Sequence, residues 1–157
     1  MYYKRSTGII LVRKSIDAPS WVMWVHHSEG KTHCPECLKL DGCFFTEVEH
    51  PPCPHHPYCH CTLEAIDYAI VLANVTVDSK YSKFDAYLFN TLGEYNNYKA
   101  DLFRMWGYDV EDIPWMKAEW ERQVCEKYLA GDYKLNLLDE WGQRINIRIE
   151  IPRKDTG

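Results

Sequence analysis

The sequence predicts an α+β protein, with a small β-rich zinc-knuckle module at residues 1–74 and three helices followed by an antiparallel β-hairpin at residues 75–157. Six of the seven cysteines and four of the seven histidines lie between residues 34 and 61. After Ala73, apolar residues recur at helical spacing, and the segment Arg144–Ile151 then alternates strictly between apolar and polar side chains. These three patterns define the two parts.

The composition is that of a folded protein without bulk affinity for nucleic acid. Apolar residues make up 46% of the chain and aromatic residues 14%, which is enough for a real core and argues against disorder. The 18 basic and 23 acidic residues leave a formal charge of −5, and neither half of the chain is basic. We therefore expect no nucleic-acid partner.

The cysteines are expected to be reduced and to bind metal. The apolar run Gly8–Val12 is too short for a secretory core or for a membrane span of about 20 residues, so we expect a cytosolic chain with no membrane partner. Thiols stay reduced in that compartment, and clustered cysteines there favour metal over disulfides. An odd total of seven cysteines also disfavours a closed disulfide framework.

Short runs of branched and aromatic residues predict the strands of the zinc module. Gly8–Val12 and Trp21–Val25 are of this kind. A short strand at Gly42–Phe45 follows the first cysteines, and a returning strand at Cys61–Ile66 follows a proline-rich loop. The sequence thus places the zinc region on β-hairpins and loops.

Capping residues and glycines mark three helices in the second part. Acidic or hydroxyl residues mark the start of the first and third helices, and each of the three is followed by a glycine that can end it. The predicted helices run from Asp78 or Ser79 to about Leu92, from Tyr98 to Trp106, and from Asp109–Asp112 to Gly131. The predicted buried stripe of the third helix consists of Ile113, Met116, Trp120 and Val124.

The predicted hairpin has the clearest strand signal in the chain. Arg144–Ile151 places four isoleucines on one face and charged or amide groups on the other. A partner strand is available around Leu135, and Asp139–Gly142 offers the turn. Because the apolar face of a hairpin requires cover, we expect the three helices to pack against it.

A closed zinc site is predicted from the spacing of the soft ligands. Cys34 and Cys37 form a Cys-x-x-Cys knuckle, in which two thiolates take one edge of a tetrahedron. Two ligands are needed for the opposite edge, and four candidates compete for it: His55, His56, Cys59 and Cys61. We favour Cys34, Cys37 and His56 together with one of the last two cysteines, with Cys61 slightly ahead of Cys59.

The remaining soft ligands and the nearby acids do not indicate catalysis. Cys43, Cys53 and His33 are surplus, and we expect His50, His55 and His60 to be surface or supporting residues. A catalytic zinc keeps an open position beside a general base. Glu36, Asp41 and Glu47 are close in sequence, but neither His-Glu-x-x-His nor a His-x-Glu paired with Pro-Cys-x-x-Cys is present. The zinc is therefore predicted to be structural, with no catalytic residue.

Residues 20–66 resemble a known family. Its segments Trp24–His26, Thr32–Cys37, Leu40–Gly42, Phe44–Phe45 and Pro51–Cys61 resemble the C-terminal zinc module of phage minor head proteins, the Mu F-like head-morphogenesis proteins. That module ends in Pro-Pro-x-x-x-His-Pro-x-Cys-x-Cys. The positions that match its pattern are Cys34, Cys37, His56, Cys59 and Cys61. The resemblance implies a virion component, not an enzyme, that helps procapsid assembly near the portal; those proteins carry a long helical region before the module.

The second half is more loosely similar to a small α+β domain found beside such modules in prophage and polymorphic-toxin-like proteins. The similar segments are Phe84–Asn90, Leu102–Phe103, Gly107–Tyr108, Tyr128–Leu135 and Gln143–Ile145. Relatives of that domain have been proposed as nuclease-like toxins. A nuclease would need a cleft that gathers residues such as Arg144, Arg148, Lys134 and Asp139.

Three functions follow as hypotheses. The leading one is a phage-derived, zinc-stabilised assembly or interaction module, located in the host cytoplasm or the virion, with a phage head or portal component as its protein partner. The rival is an RNase or DNase toxin built on the second half. The third is a small acidic phage-encoded inhibitor that binds a host protein through exposed Trp115, Trp120 and Trp141.

Overall fold

A computed structural model describes residues 18–27, 34–77 and 98–156, which form a mixed α+β protein. The chain divides into two compact units. Of the described residues, the cluster unit comprises 18–27, 34–75 and 126–148, and the helical unit comprises 76–77, 98–125 and 149–156. The β-hairpin, which the sequence analysis grouped with the helices, thus belongs to the cluster unit.

The cluster unit contains a three-stranded antiparallel sheet with β1 (Trp21–Val25) at its centre. β1 pairs with β2 (Phe44–Thr46) on one side and with β3 (Thr62–Ile66) on the other. Three predicted strands are confirmed here, although β2 begins two residues later than expected. The predicted strand at Gly8–Val12 lies outside the described residues.

Two short helices of the cluster unit correct the prediction of hairpins and loops. α1 (Pro35–Leu40) begins with a proline, whose missing N–H is not needed in the first helical turn. α2 (Tyr68–Asn74) begins after Asp67, whose Oδ1 accepts the backbone N–H of Ala69 at 2.7 Å. At six and seven residues, both helices are too short for an apolar stripe to be legible in the sequence.

The predicted hairpin is present but shorter than its alternating pattern. β4 (Lys134–Asp139) pairs with β5 (Gly142–Asn146), and the register ends at Lys134 opposite Asn146. Residues after Asn146 continue the alternation but form no strand. The reason is geometric, because the chain turns just before β4 and supplies no further partner for β5.

The hairpin completes the core of the cluster unit. Tyr133, which precedes β4, is 3% exposed and packs with Trp21 and Val71. Lys39 of α1 donates a hydrogen bond to the backbone carbonyl of Asp139 at 2.8 Å. The hairpin is therefore covered by the sheet and by α1 and α2 within its own unit.

The helical unit contains α3 (Tyr98–Met105), a 3-10 turn (Val110–Asp112) and most of α4 (Ile113–Leu129). Two of the three predicted helices are thus confirmed, and the one from Asp78 or Ser79 to Leu92 lies outside the described residues. Of the predicted stripe on α4, Met116 is fully buried and the other three residues are half-buried. Among the described residues, no helix has the length and apolar content needed to cross a bilayer.

The end of α4 is fixed by a glycine-dependent turn. The backbone N–H of Gly131 bonds to the carbonyl of Tyr128, and that of Asp132 bonds to the carbonyl of Lys127, which is the Schellman arrangement. Gly131 has φ +77°, and a Cβ there would lie 3.1 Å from Thr46 Cγ2. This turn directs the chain into the hairpin that completes the cluster unit.

Candidate metal centre

The first half of the site is built by α1. Cys34 is the N-cap residue and Cys37 lies one turn later, where it is 1% exposed. The backbone N–H of Leu38 bonds to the carbonyl of Cys34 at 3.1 Å, which closes that turn. A helical Cys-x-x-Cys therefore holds both sulfurs on the side of α1 that faces the core.

The second half is built by the loop that leads into β3. The backbone N–H of Cys59 bonds to the carbonyl of His56 at 3.1 Å, and Tyr58 between them has φ +62°. Cys61 is the residue before β3 and is 7% exposed. This tight turn brings His56, Cys59 and Cys61 back toward α1.

All five predicted ligands meet in this region. Cys34, Cys37 and His56 form one group of donor atoms, and Cys37, Cys59 and Cys61 form a second. Within each group the donor atoms lie within 4.8 Å of one another. Cys37 is common to both groups, so its sulfur is the centre of the constellation.

The spacing of these atoms fits a tetrahedral metal. With Zn–S near 2.3 Å and Zn–N near 2.05 Å, a regular tetrahedron gives S···S of about 3.8 Å and S···N of about 3.5 Å. The observed Cys37 Sγ to Cys59 Sγ distance is 3.7 Å, and Cys37 Sγ lies 3.3 Å from His56 Nε2. All seven cysteines are free thiols, so no disulfide explains this proximity. The donor set is therefore compatible with a bound metal ion.

His56 has the tautomer that a metal ligand requires. Its Nδ1 lies 2.8 Å from the backbone carbonyl of Pro57, an acceptor that assigns the proton to Nδ1. This hydrogen bond raises the pKa of the imidazole, with the Cys34 sulfur adding to the effect. Nε2 is left with a lone pair directed at the thiols, as in other sites where a carbonyl orients a ligating histidine.

Backbone N–H groups favour the thiolate at two of the cysteines. Burial acts to raise the pKa of Cys59, but N–H groups of His55 and Cys61 outweigh it and lower the pKa to about 6. The backbone N–H of Cys37 lowers the pKa of Cys34, which is the N-cap residue of α1. Burial instead raises the pKa of Cys37, and the neighbouring thiols of Cys61 and Cys59 add to the effect.

The surplus cysteines and histidines surround this centre or lie away from it. Cys43 and Cys53 donate to the backbone carbonyls of Lys39 and Cys61. His55 Nε2 lies 3.0 Å from Glu36 Oε2, so the acid inside the knuckle is engaged by a supporting histidine. His60 is exposed, and His33 lies outside the described residues.

His26 is a site residue that the ligand spacing did not reveal. Its Nδ1 lies 3.4 Å from Cys61 Sγ, and its backbone N–H donates to Asp41 Oδ1 at 2.9 Å. The sequence does contain a signal for His26. It follows Trp24 by two residues, and side chains two residues apart in a strand face the same side.

The residues considered for a nuclease cleft are engaged with neighbours. Arg144 Nε lies 2.5 Å from Asp139 Oδ2, and Lys134 Nζ lies 3.4 Å from Glu49 Oε2. Gln143 Nε2 donates to the backbone carbonyls of Asn136 and Arg144. These contacts stabilise the hairpin and neutralise its charges.

Comparisons of the chain with protein-family models, with curated proteins and with solved structures give no match. The functional argument therefore depends on the geometry of the centre.

Proposed function

We propose that this chain is a non-catalytic structural or interaction module held together by one zinc ion, with Cys34, Cys37, His56 and Cys59 as ligands. The observation that carries the proposal is the agreement of two distances with a zinc tetrahedron, 3.7 Å from Cys37 to Cys59 and 3.3 Å from Cys37 to His56. With these ligands, three thiolates and one imidazole would fill every coordination position of the zinc. Such closed sites are structural, because no position remains for water or substrate.

The zinc acts by linking two segments that are distant in sequence. It joins α1 to the loop that precedes β3, and both segments are short. The fully buried side chains of the core next to the site are few, and Trp24, Leu40 and Cys37 are the largest of them. Since the apolar core of this unit is small, the free energy of metal binding supplies much of its folding free energy.

Metal analysis of the purified chain tests this proposal directly. We expect one zinc per chain, removal of the zinc by a strong chelator with loss of folded structure, and recovery when zinc is returned. A chain that contains no metal and shows the same unfolding curve with and without chelator would refute it. Incubation with RNA and DNA provides the test of the enzymatic alternative, and we expect no turnover.

Exposed aromatic side chains near the centre support a role in protein interaction. Trp141 in the β4–β5 turn is 81% exposed, and Tyr58 in the ligand loop is 94% exposed. Large aromatic side chains are frequent anchors in protein interfaces. On the resemblance of residues 20–66, the partner that we propose is a phage head or portal component.

A binding assay with purified procapsids or portal tests the partner. Trp141→Ala should weaken co-sedimentation of the chain with procapsids or portal. It should not change the unfolding curve, because most of the Trp141 side chain is exposed and contributes little to the core. Leu137→Ala, at 56% exposed on the same hairpin, is a matched control for loss of exposed apolar surface alone. Equal binding by the wild type and Trp141→Ala would exclude Trp141 as the anchor.

A further inference from the structure

We propose that the helical unit carries a groove for an extended peptide segment, and that residues 150–155 of a second copy of this chain are its ligand. We call these residues the tail, and in the structure they occupy the groove of their own chain. The groove is lined by Trp106, Tyr108, Asp112, Met116 and Gln123. The inference is independent of the metal centre, because every contact that carries it lies within the helical unit.

The tail is held without regular secondary structure. Residues 147–153 lie outside every helix and strand, although the isoleucine alternation continues through Ile151. The backbone groups of the tail bond instead to side chains and to one backbone carbonyl of the helical unit. Extended peptides are recognised in this way, with main-chain hydrogen bonds for affinity and pockets for side chains.

Gln123 binds the backbone of Glu150 through both polar atoms of its amide. Its Oε1 accepts the N–H of Glu150 at 2.9 Å, and its Nε2 donates to the carbonyl of Glu150 at 2.7 Å. Nε2 also donates to Glu119 Oε1 at 2.7 Å, and since an ionised carboxylate only accepts, this contact fixes the orientation of the amide. Gln123 is 8% exposed, so an empty groove would leave part of a buried amide unpaired.

Tyr108 contacts the next two positions of the tail. Ile151 packs against Tyr108 and Met116, which are both buried. The Tyr108 hydroxyl donates to the carbonyl of Pro152. Because proline has no N–H, this bond pairs the one backbone polar group that Pro152 has. The groove therefore suits an apolar residue followed by proline.

The backbone approaches the tail closely at Gly107. The carbonyl of Trp106 accepts the N–H groups of Lys154 and Asp155 at 3.0 and 3.2 Å. Gly107 has φ +88°, and a Cβ there would lie 3.2 Å from Lys154 Cβ. Glycine thus permits both the turn after α3 and the approach of the tail.

The end of the groove suits two consecutive basic residues. The Arg153 guanidinium lies 5.8 Å from the centroid of the Trp106 ring. The Lys154 Nζ lies 5.1 Å from the centroid of the Tyr108 ring and 2.5 Å from Asp112 Oδ1. Cations are attracted to aromatic faces and to carboxylates, so the charge of the groove matches the charge of the tail.

The tail is suited to exchange between copies. Ile151 is half-buried and the rest of the tail is exposed, so its release uncovers little apolar surface. The tail of a second copy would make the same contacts residue by residue. Residues 147–149 alone connect β5 to the tail, and short connections of this kind favour exchange of a segment between protomers.

Complementary charge reversals at Asp112 and Lys154 test the exchange. In Asp112→Lys and in Lys154→Asp the tail meets a like charge within its own chain, whereas in an equimolar mixture each tail meets an opposite charge in the other variant. We expect about tenfold more dimer in the mixture than in either variant alone, because two like-charge contacts become two ion pairs. Native mass spectrometry measures the mixed dimer.

The double variant Asp112→Lys with Lys154→Asp is the matched control. It restores the ion pair within one chain. Like Asp112→Lys alone, it lacks the bond between Asp112 Oδ2 and the N–H of Asp109. We expect the double variant to form no more dimer than the wild type at the same concentration.

A labelled peptide of residues 149–156 gives a second measurement on the full chain. It should bind Lys154→Asp about tenfold more tightly than the wild type, because the weakened tail of that variant competes less for the groove. Adding Gln123→Ala should remove the binding, since the amide that bonds the peptide backbone is then absent. Lys134→Asp reverses a lysine of the cluster unit and should bind the peptide as the wild type does.

A mixture of folded single variants with no more dimer than either alone would overturn the inference. Equal affinity of the peptide for Lys154→Asp and for the wild type, or no binding to either, would also overturn it. If the single variants do not fold alone, recovery of a folded mixed dimer supports the exchange. Failure to recover it, while the double variant folds, overturns the exchange. None of these results alters the proposed zinc site, which metal analysis tests separately.

Discussion

The hydroxyl of Tyr133 accepts a hydrogen bond from the backbone N–H of Thr46 at 2.8 Å and lies 2.7 Å from the carbonyl of Glu49, to which it donates. Tyr128 adds a bond from its hydroxyl to the carbonyl of Phe44. Two side chains from the end of α4 and the following turn thus satisfy the outer edge of β2. An edge strand in the described sheet is covered by tyrosines instead of another strand.

Tyr133→Phe tests this edge. The substitution leaves a buried N–H and a partly buried carbonyl without their partner, so the free energy of unfolding should fall by about 1–3 kcal/mol. Tyr58→Phe removes a hydroxyl that is in water and should change it by less than about 0.5 kcal/mol. Denaturant unfolding of both variants measures the difference, and equal curves would show that the Tyr133 hydroxyl contributes nothing.

Cys37→Ser should be the most damaging cysteine substitution, because Cys37 is the ligand shared by both donor groups. We expect a loss larger than that of a core truncation, which is about 2–5 kcal/mol. Cys125 is the cysteine outside the cluster, so Cys125→Ser is the control and should keep its zinc. Thermal unfolding with metal analysis checks both, and unchanged melting of Cys37→Ser would contradict the zinc site.

Glu119 should make the helical unit sensitive to acid. Hydrogen bonds from Arg122 and Gln123 lower the pKa of Glu119 to about 2, below its ordinary value of 4.5. A group with a lowered folded-state pKa stabilises the protein above the unfolded pKa, and the effect is lost as pH falls through the folded pKa. The stability difference between wild type and Glu119→Gln should therefore be full above pH 4.5 and should vanish toward pH 2.

The comparison with Glu119→Gln removes a complication. Acid also protonates the cysteines and releases metal, but this happens equally in both proteins. A difference in unfolding free energy that stays constant from pH 6 to pH 2 would exclude the contribution of Glu119.

Gly131→Ala should destabilise the chain for two reasons that a control can separate. A left-handed alanine costs about 1–2 kcal/mol, and its Cβ would also lie 3.1 Å from Thr46 Cγ2. Gly42 has a similar φ of +75°, with nothing within 4 Å of a built Cβ. Gly42→Ala should therefore show the backbone cost alone, and Gly131→Ala a larger loss in chemical denaturation. Equal losses would mean that the contact with Thr46 relaxes freely.

The strands and the ligand types could be predicted because their signals are local. Trp21–Val25 is a compact branched and aromatic run, and Cys34 with Cys37 is recognisable from spacing alone. The helical nature of α1 was missed, since the short knuckle offered no periodicity. The isoleucine alternation overstated β5, because alternation records which face is apolar and not whether a partner strand exists.

The amino-acid sequence by itself determined which thiols and imidazoles are available as ligands. It also determined the central strand and the α+β class. Only the tertiary structure decided which sulfurs face each other, that His26 meets Cys61, and that Tyr133 joins the hairpin to β2. Those decisions depend on contacts between residues 22, 35 and 87 positions apart. Distances of that kind are set by how helices and strands pack, and local pattern carries no information about them.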